Sequence, residues 1–174
     1  MIRKTVAALA SIALSGCASL GDQPVKHVAS AQLMLANDVP VGTAQLVGRG
    51  DQLSLVMTIA GVSQGTHGVH LHTTGNCEAP SFTSAGGHLN PGGKQHGMDN
   101  PMGRHLGDLP NLEVGASGTG TLTAELPGAP DWLLAEMFDA DGTAIVIHAG
   151  PDDYKTDPSG NSGSRIACGV LKRG

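Results

Sequence analysis

Gln52-Leu53-Ser54-Leu55-Val56-Met57-Thr58-Ile59 is the stretch on which the fold turns. Leu53, Leu55, Met57 and Ile59 alternate with Gln52, Ser54, Val56 and Thr58. A strand sends successive side chains to opposite faces, so this segment is a strand with one face in a core. Downstream, Leu122, Ala124 and Leu126 alternate with Thr121, Thr123 and Glu125 in the same way. Further strand-like runs cover residues 28–35, 42–48, 69–72, 144–148 and 165–171. Glycine and Asx clusters separate them, among them Gly48-Arg49-Gly50-Asp51 and Asp139-Ala140-Asp141-Gly142. Residues 130–138 have only weak helical character. Many short strands without a long amphipathic helix predict an all-β chain, an antiparallel sandwich or barrel.

Composition narrows the core. With one Trp, one Tyr and two Phe, the interior must be built from Val, Ile, Leu, Met and Ala. The 26 glycines follow no collagen period and mark many tight turns. Residues 1–16 read as a targeting segment: Arg3 and Lys4 form a positive start, and residues 5–14 an apolar run. That run is short of the about 20 residues a membrane-spanning helix needs. Leu14-Ser15-Gly16-Cys17 looks like the lipobox of bacterial lipoproteins, in which the cysteine is lipidated and begins the mature chain. The other reading is an ordinary secretory signal in which Cys17 is incidental. A tether over residues 17–26 and a single domain over residues 27–174 would follow. The expected location is the periplasmic side of the bacterial envelope, anchored by lipid. Ala18 is compatible with the outer membrane, and each buried methylene would add about 0.8 kcal/mol to the anchor.

Losing Arg3 and Lys4 with the targeting segment takes the formal net charge from −5 to −7. An acidic chain without a Lys/Arg cluster argues against nucleic acid and acidic lipid as partners. Of the three cysteines, setting Cys17 aside leaves Cys77 and Cys168, an even pair in an exported chain where disulfides persist. Their bridge would close a loop of about 90 residues and contribute roughly 4–5 kcal/mol in the chain-entropy picture. The alternative is two free thiols acting as metal ligands.

Residues 67–108, HGVHLHTTGNCEAPSFTSAGGHLNPGGKQHGMDNPMGRHLGD, hold six of the eight histidines. His70 and His72, spaced i, i+2 on a strand, present both rings on one face. His88, His96, His105 and Asp108 follow. Imidazole with a carboxylate is the usual metal-binding set where sulfur is absent, and this density points to more than one ion. His67, Val69 and Leu71 fall on the face opposite His70 and His72, which turns His67 inward in a structural role. His148 shares parity with Val146, and Ile145 and Ile147 face the core. His27 reads as an ordinary histidine. Residues 73–112 and 149–164 show no strand pattern, and loops of that length need cross-links such as metal ions or a disulfide to stay ordered.

GTHGVHLH at 65–72, SAGGHLNP at 84–91, KQHG at 94–97, RHLGDLPN at 104–111, VIHAGPDD at 146–153 and GNSGSRIACGV at 160–170 together resemble the copper/zinc superoxide dismutases, specifically their bacterial envelope branch. The resemblance covers essentially the whole mature chain. It implies a Greek-key antiparallel β-sandwich or barrel, immunoglobulin-like, with two long loops forming the metal site. It implies one copper per chain held by His70, His72, His88 and His148, and one zinc held by His88, His96, His105 and Asp108. His88 would be shared as a bridging imidazolate and carry a proton. Asp152 would link His70 to His96, and Arg165 would attract the superoxide anion. The implied reaction alternately reduces and reoxidises copper, yielding oxygen and peroxide. Non-catalytic metal-binding relatives of this fold typically lack a copper ligand or the arginine, and all of these are present here. A short span from His72 to Cys77 and the Gly86-Gly87 pair depart from the eukaryotic pattern. A homodimer remains compatible with the sequence, although the eukaryotic interface does not transfer.

Overall fold

The computed structural model describes residues 24–174. The proposed signal segment, and Cys17 with it, lie outside the described residues. The elements are β1 (Lys26–Leu35), β2 (Pro40–Arg49), β3 (Gln52–Ala60), β4 (Gly65–His67), β5 (Val69–His72), β6 (Leu112–Val114), β7 (Thr119–Glu125), α1 (Pro130–Met137), β8 (Ala144–His148), β9 (Arg165–Val170) and β10 (Lys172–Arg173). One eight-stranded sheet runs β5-β8-β9-β1-β2-β3-β7, with β10 beside β1, and every pairing is antiparallel. β3 lies next to β7 and β5 next to β8, so the chain crosses between non-consecutive strands in Greek-key fashion.

The alternation in β3 sets the register. Leu55 stands between Leu46 and Ala124, and Met57 between Ala44 and Leu122. All six side chains are buried, and a one-residue slip would turn the β3 apolar row outward. Ile145 and Ile147 enter the same core, as parity predicts. Their neighbours Ala144 and Val146 face the other way, into a small cluster with Phe82, Ala85 and Cys168. A single curled sheet thus has a main core inside and a satellite core outside, under the loop that follows β5.

Two features differ from the sequence expectation, and a third, the weak helical segment, is borne out. Lys26 belongs to β1, opposite Gly48, so this strand starts two residues ahead of the run expected at 28–35. β4 and β6 form a separate two-stranded ribbon of three residues each, too short to show periodicity. The weak helical segment is α1, an eight-residue helix with Pro130 in its first turn, where a missing N–H costs nothing. So short a helix is marginal alone. It is held by burial of Leu133 and Met137, one turn apart, against the main core. Among the described residues no helix is long and apolar enough to cross a membrane.

Candidate metal centre

The centre is assembled on an edge strand. β5 pairs with β8 on one side only, and an edge strand offers unpaired backbone groups. Here the long loop takes them. Leu71 N donates to Gly107 O at 2.9 Å, Leu89 N to Leu71 O at 2.8 Å, and Thr73 N to Gly87 O at 2.9 Å. Gly107 is required at that spot, because a Cβ would strike the Leu71 carbonyl. These bonds set Asp108 opposite His70 and His88 opposite His72. Backbone pairing therefore brings residues far apart in sequence beside the H-x-H pair.

His70, His72, His88 and His148 form one group whose candidate ligand atoms lie within 4.8 Å of one another, all buried. One nitrogen of each ring is already engaged. His70 Nε2 meets Asp152 Oδ2 at 2.8 Å, His72 Nδ1 donates to Gly86 O at 2.9 Å, and His148 Nδ1 donates to Gly163 O at 3.1 Å. His88 Nδ1 lies 2.9 Å from Asp108 Oδ1. The other four nitrogens, His70 Nδ1, His72 Nε2, His88 Nε2 and His148 Nε2, are buried and meet no hydrogen-bond partner in the protein. Leaving such atoms unpaired costs about 1–3 kcal/mol each. Four unpaired imidazole nitrogens in one group fit a copper ion. Burial, ahead of neighbouring charges, lowers His70 to about 3, His72 to about 2 and His148 to about 4, so these rings are neutral donors at pH 7.

Asp108 Oδ1 is the centre of a second group. It lies 2.9 Å from His88 Nδ1, 3.0 Å from His96 Nδ1 and 3.1 Å from His105 Nδ1, and the His88 and His105 nitrogens are 3.3 Å apart. A tetrahedral zinc site with bonds of about 2.0–2.1 Å has donor–donor edges of about 3.3 Å, so these four donors fit one. His70, His88, His96 and Asp108 also offer ligand atoms within 4.8 Å of one another, but the free His70 nitrogen, Nδ1, belongs to the first group, and His105 stands in its place through its contacts with Asp108 and His88. Asp108 Oδ2 accepts from Gly97 N and His105 N, both at 2.9 Å, which fixes the carboxylate. Burial works against the Asp108 anion, but the His88, His96 and Gly97 donors outweigh it and hold the carboxyl well below its usual range.

Asp152 spans the two groups, with Oδ2 at His70 Nε2 and Oδ1 2.9 Å from His96 Nε2. Gly160, at φ 63°, backs this pair, and any Cβ there would collide with the Asp152 carboxylate. His67 is buried, as expected, but not by the parity argument. β4 ends at His67 and Gly68 breaks the alternation before β5. Its Nδ1 lies 2.7 Å from the His148 carbonyl, which braces the backbone of a histidine in the first group. Arg165 is half-buried and donates to Phe82 O and Gly86 O, both at 2.7 Å. After burial, its charge is among the influences holding His72 and His148 low, so the guanidinium stands near those rings. Cys77 and Cys168 are bonded, which excludes the thiol-ligand alternative and ties the Arg165-binding loop to β9. His27 is exposed on β1 and belongs to neither group.

Residues 41–171 match the family described as copper/zinc superoxide dismutase. The chain belongs to that family. A Cu-Zn superoxide dismutase of Aquifex aeolicus, its number 2, is 39% identical over 147 residues, 83% of this chain and 86% of that protein. A superoxide dismutase-like protein of Bacillus subtilis is 51% identical over 109 residues, 60% of this chain and 54% of its own length. The match thus spans about half of the Bacillus protein. Among solved structures, a SOD-like protein from Bacillus subtilis superposes with a TM-score of 0.78 at 38% identity, covering 84% of this chain and all of that one. The Cu/Zn superoxide dismutase of Brucella abortus gives 0.65 at 28% identity, covering 86% of this chain and 100% of its own.

The carbonyls of Gly86 and Gly163, which choose the free nitrogen of His72 and His148, were beyond sequence reasoning because a main-chain group carries no residue signal. Asp157, whose Oδ1 accepts from His96 N at 2.6 Å, was also missed. One consequence for this family member is a proton count. For His96, burial disfavours the cation, but hydrogen bonds and charge from Asp108 and Asp152 outweigh it and raise the ring to about 9. In the metal-free protein at pH 7 that ring is protonated, and a metal must displace the proton to bind. Calorimetric zinc titrations in buffers of different ionisation enthalpy should therefore register about one proton released per zinc at pH 7. The release should vanish well above pH 9, where His96 is already neutral. A count near zero at pH 7 would contradict the His96 assignment.

Proposed function

We propose that this protein converts superoxide to oxygen and hydrogen peroxide. Copper is held by His70, His72, His88 and His148, and zinc by His88, His96, His105 and Asp108, one ion of each per chain. The observation that carries this reading is the set of four buried imidazole nitrogens left unpaired while every partner nitrogen is engaged, with His88 common to both groups. Copper, when bound, supplies the one-electron redox couple that such a dismutation needs.

The chain's own residues supply the rest. Superoxide is a small anion and the protein is acidic, so an attractive charge is needed beside the site. The Arg165 guanidinium, pinned by two carbonyls, provides it without rotamer loss and orients the anion. His88 keeps Nδ1 toward Asp108, which leaves Nε2 as the position to hold a proton and give it to the departing peroxide. Asp152 fixes the tautomers of His70 and His96, and such outer partners are worth about 10–100-fold in metal affinity. The reading extends to defence against superoxide in the bacterial envelope, with the domain of residues 27–174 tethered through a lipidated Cys17. The charged start, the apolar run and the lipobox-like segment support that extension.

The deciding experiment is metal content and superoxide dismutation by the mature chain loaded with copper and zinc, beside His148→Ala. About one copper and one zinc per chain, with activity abolished and zinc retained in the variant, is the expected result. Zinc alone, with no activity in either protein, would sink the reading and leave a metal-handling protein.

A further inference from the structure

We propose that Asn111 and Tyr154 form a clasp whose task is to hold the Asp152 carboxylate between the two metal groups, making both positioning residues for the reaction. The inference rests on the two-metal reading above. Asn111 precedes β6, and its amide pairs with the backbone of Asp152 as a second peptide would. Nδ2 donates to Asp152 O at 2.9 Å, and Oδ1 accepts from Asp152 N at 2.9 Å. The Tyr154 hydroxyl closes the ring by accepting from Asn111 N at 2.7 Å. Tyr154 N in turn donates to Asp152 Oδ1 at 2.7 Å. Its carbonyl accepts from Asp99 N at 3.1 Å, reaching the segment that carries His96.

Three segments therefore meet at one tyrosine: residues 96–99, residues 108–111 and the loop 149–164. Tyr154 sits at φ 63°, a conformation uncommon for a side chain with a Cβ and one that persists only where surroundings over-determine it. The surroundings here are these hydrogen bonds and the close approach of Gly97, where a Cβ would run into the Tyr154 backbone. Asp152 has no slack of its own. Its oxygens serve His70, His96 and Tyr154 N, and its peptide N–H and C=O serve Asn111. Moving the clasp moves the carboxylate, and a shifted carboxylate turns an imidazole of the copper group and one of the zinc group together. A residue that touches neither metal would thereby set the geometry of both.

The test uses the whole mature chain with Tyr154→Phe, which deletes one hydroxyl, and Asn111→Ala, which deletes the amide. Asp153→Asn is the control. Asp153 braces the same loop through Lys155, Thr156 and Asn161 without touching Asn111. Three readouts apply: zinc affinity by chelator competition, the visible and EPR spectrum of bound copper, and exchange lifetimes of the His70 and His96 Nε2 ring protons by NMR of metal-free protein. Both clasp variants should shorten the ring-proton lifetimes, shift the copper spectrum and weaken zinc by about tenfold or more, while the control leaves the spectrum unchanged. Parent-like lifetimes, spectrum and zinc affinity in Tyr154→Phe would overturn the clasp with the functional reading intact. If the parent itself binds neither metal, the functional reading falls, and the ring-proton lifetimes still decide the clasp.

Discussion

His88→Ala should lose both metals, a result no other single histidine substitution here should produce. In the ligand sets proposed above, only His88 offers a different nitrogen to each ion: Nδ1 lies 2.9 Å from Asp108 Oδ1, and Nε2 is among the unpaired nitrogens of the proposed copper group. Loss of an outer partner costs about 10–100-fold in metal affinity, so loss of a ligand should exceed about 100-fold for zinc. Copper would be left with three imidazoles, and the ring proposed to carry the proton would be gone, so dismutation should be undetectable. The comparison that isolates the shared role is His105→Ala, which should weaken zinc while leaving all four copper nitrogens in place. Metal titrations of the two variants settle the matter. Zinc binding by His88→Ala at parental affinity would show that the ring is not shared.

Removing the disulfide should produce the largest loss of stability. Cys77 and Cys168 are 91 residues apart, and the chain-entropy picture assigns a loop of that size about 4–5 kcal/mol. Measured losses for native bridges run to about 2–5 kcal/mol, a large share of the about 5–15 kcal/mol that holds a typical domain folded. Cys77→Ser with Cys168→Ser should therefore lower the melting temperature by roughly 10 °C. Activity should fall further than stability alone requires. Phe82 and Gly86, whose carbonyls hold Arg165, lie in the loop that Cys77 ties to β9. The Gly86 carbonyl also fixes the ring of His72. A loosened loop frees the arginine and the tautomer of a copper-group histidine together. Activity per folded molecule in the double variant, measured well below its melting point, checks this. Parental activity there would mean that the satellite core of Phe82, Ala85 and Val146 holds the loop without the bridge.

Where a property follows from side-chain identity at short range, the sequence was sufficient. The alternation at 52–59 implied a strand with one buried face, and β3 is that strand with Leu53, Leu55, Met57 and Ile59 inside. The i, i+2 spacing of His70 and His72 put both rings on one side of β5. The parity of Ile145 and Ile147 against Val146 and His148 was legible for the same reason. His67 shows where such reasoning stops, since alternation holds only within one continuous strand and Gly68 interrupts it.

What tertiary structure alone decided is which atom of each ring is free to bind. Imidazole has two nearly equivalent nitrogens, and the choice between them belongs to whatever the other one meets. For His72 and His148 that partner is the carbonyl of a glycine 14 or 15 residues away, and for His70 the carboxylate of Asp152, 82 residues on. The same holds for the edge of β5, covered by Gly87, Leu89 and Gly107, and for the contacts of Asn111 and Tyr154 around Asp152. Sequence determined which residues could bind metal and on which face the first two lie. The closure of the sheet and its two loops determined the donor atoms, because those depend on groups that meet only when the chain is folded.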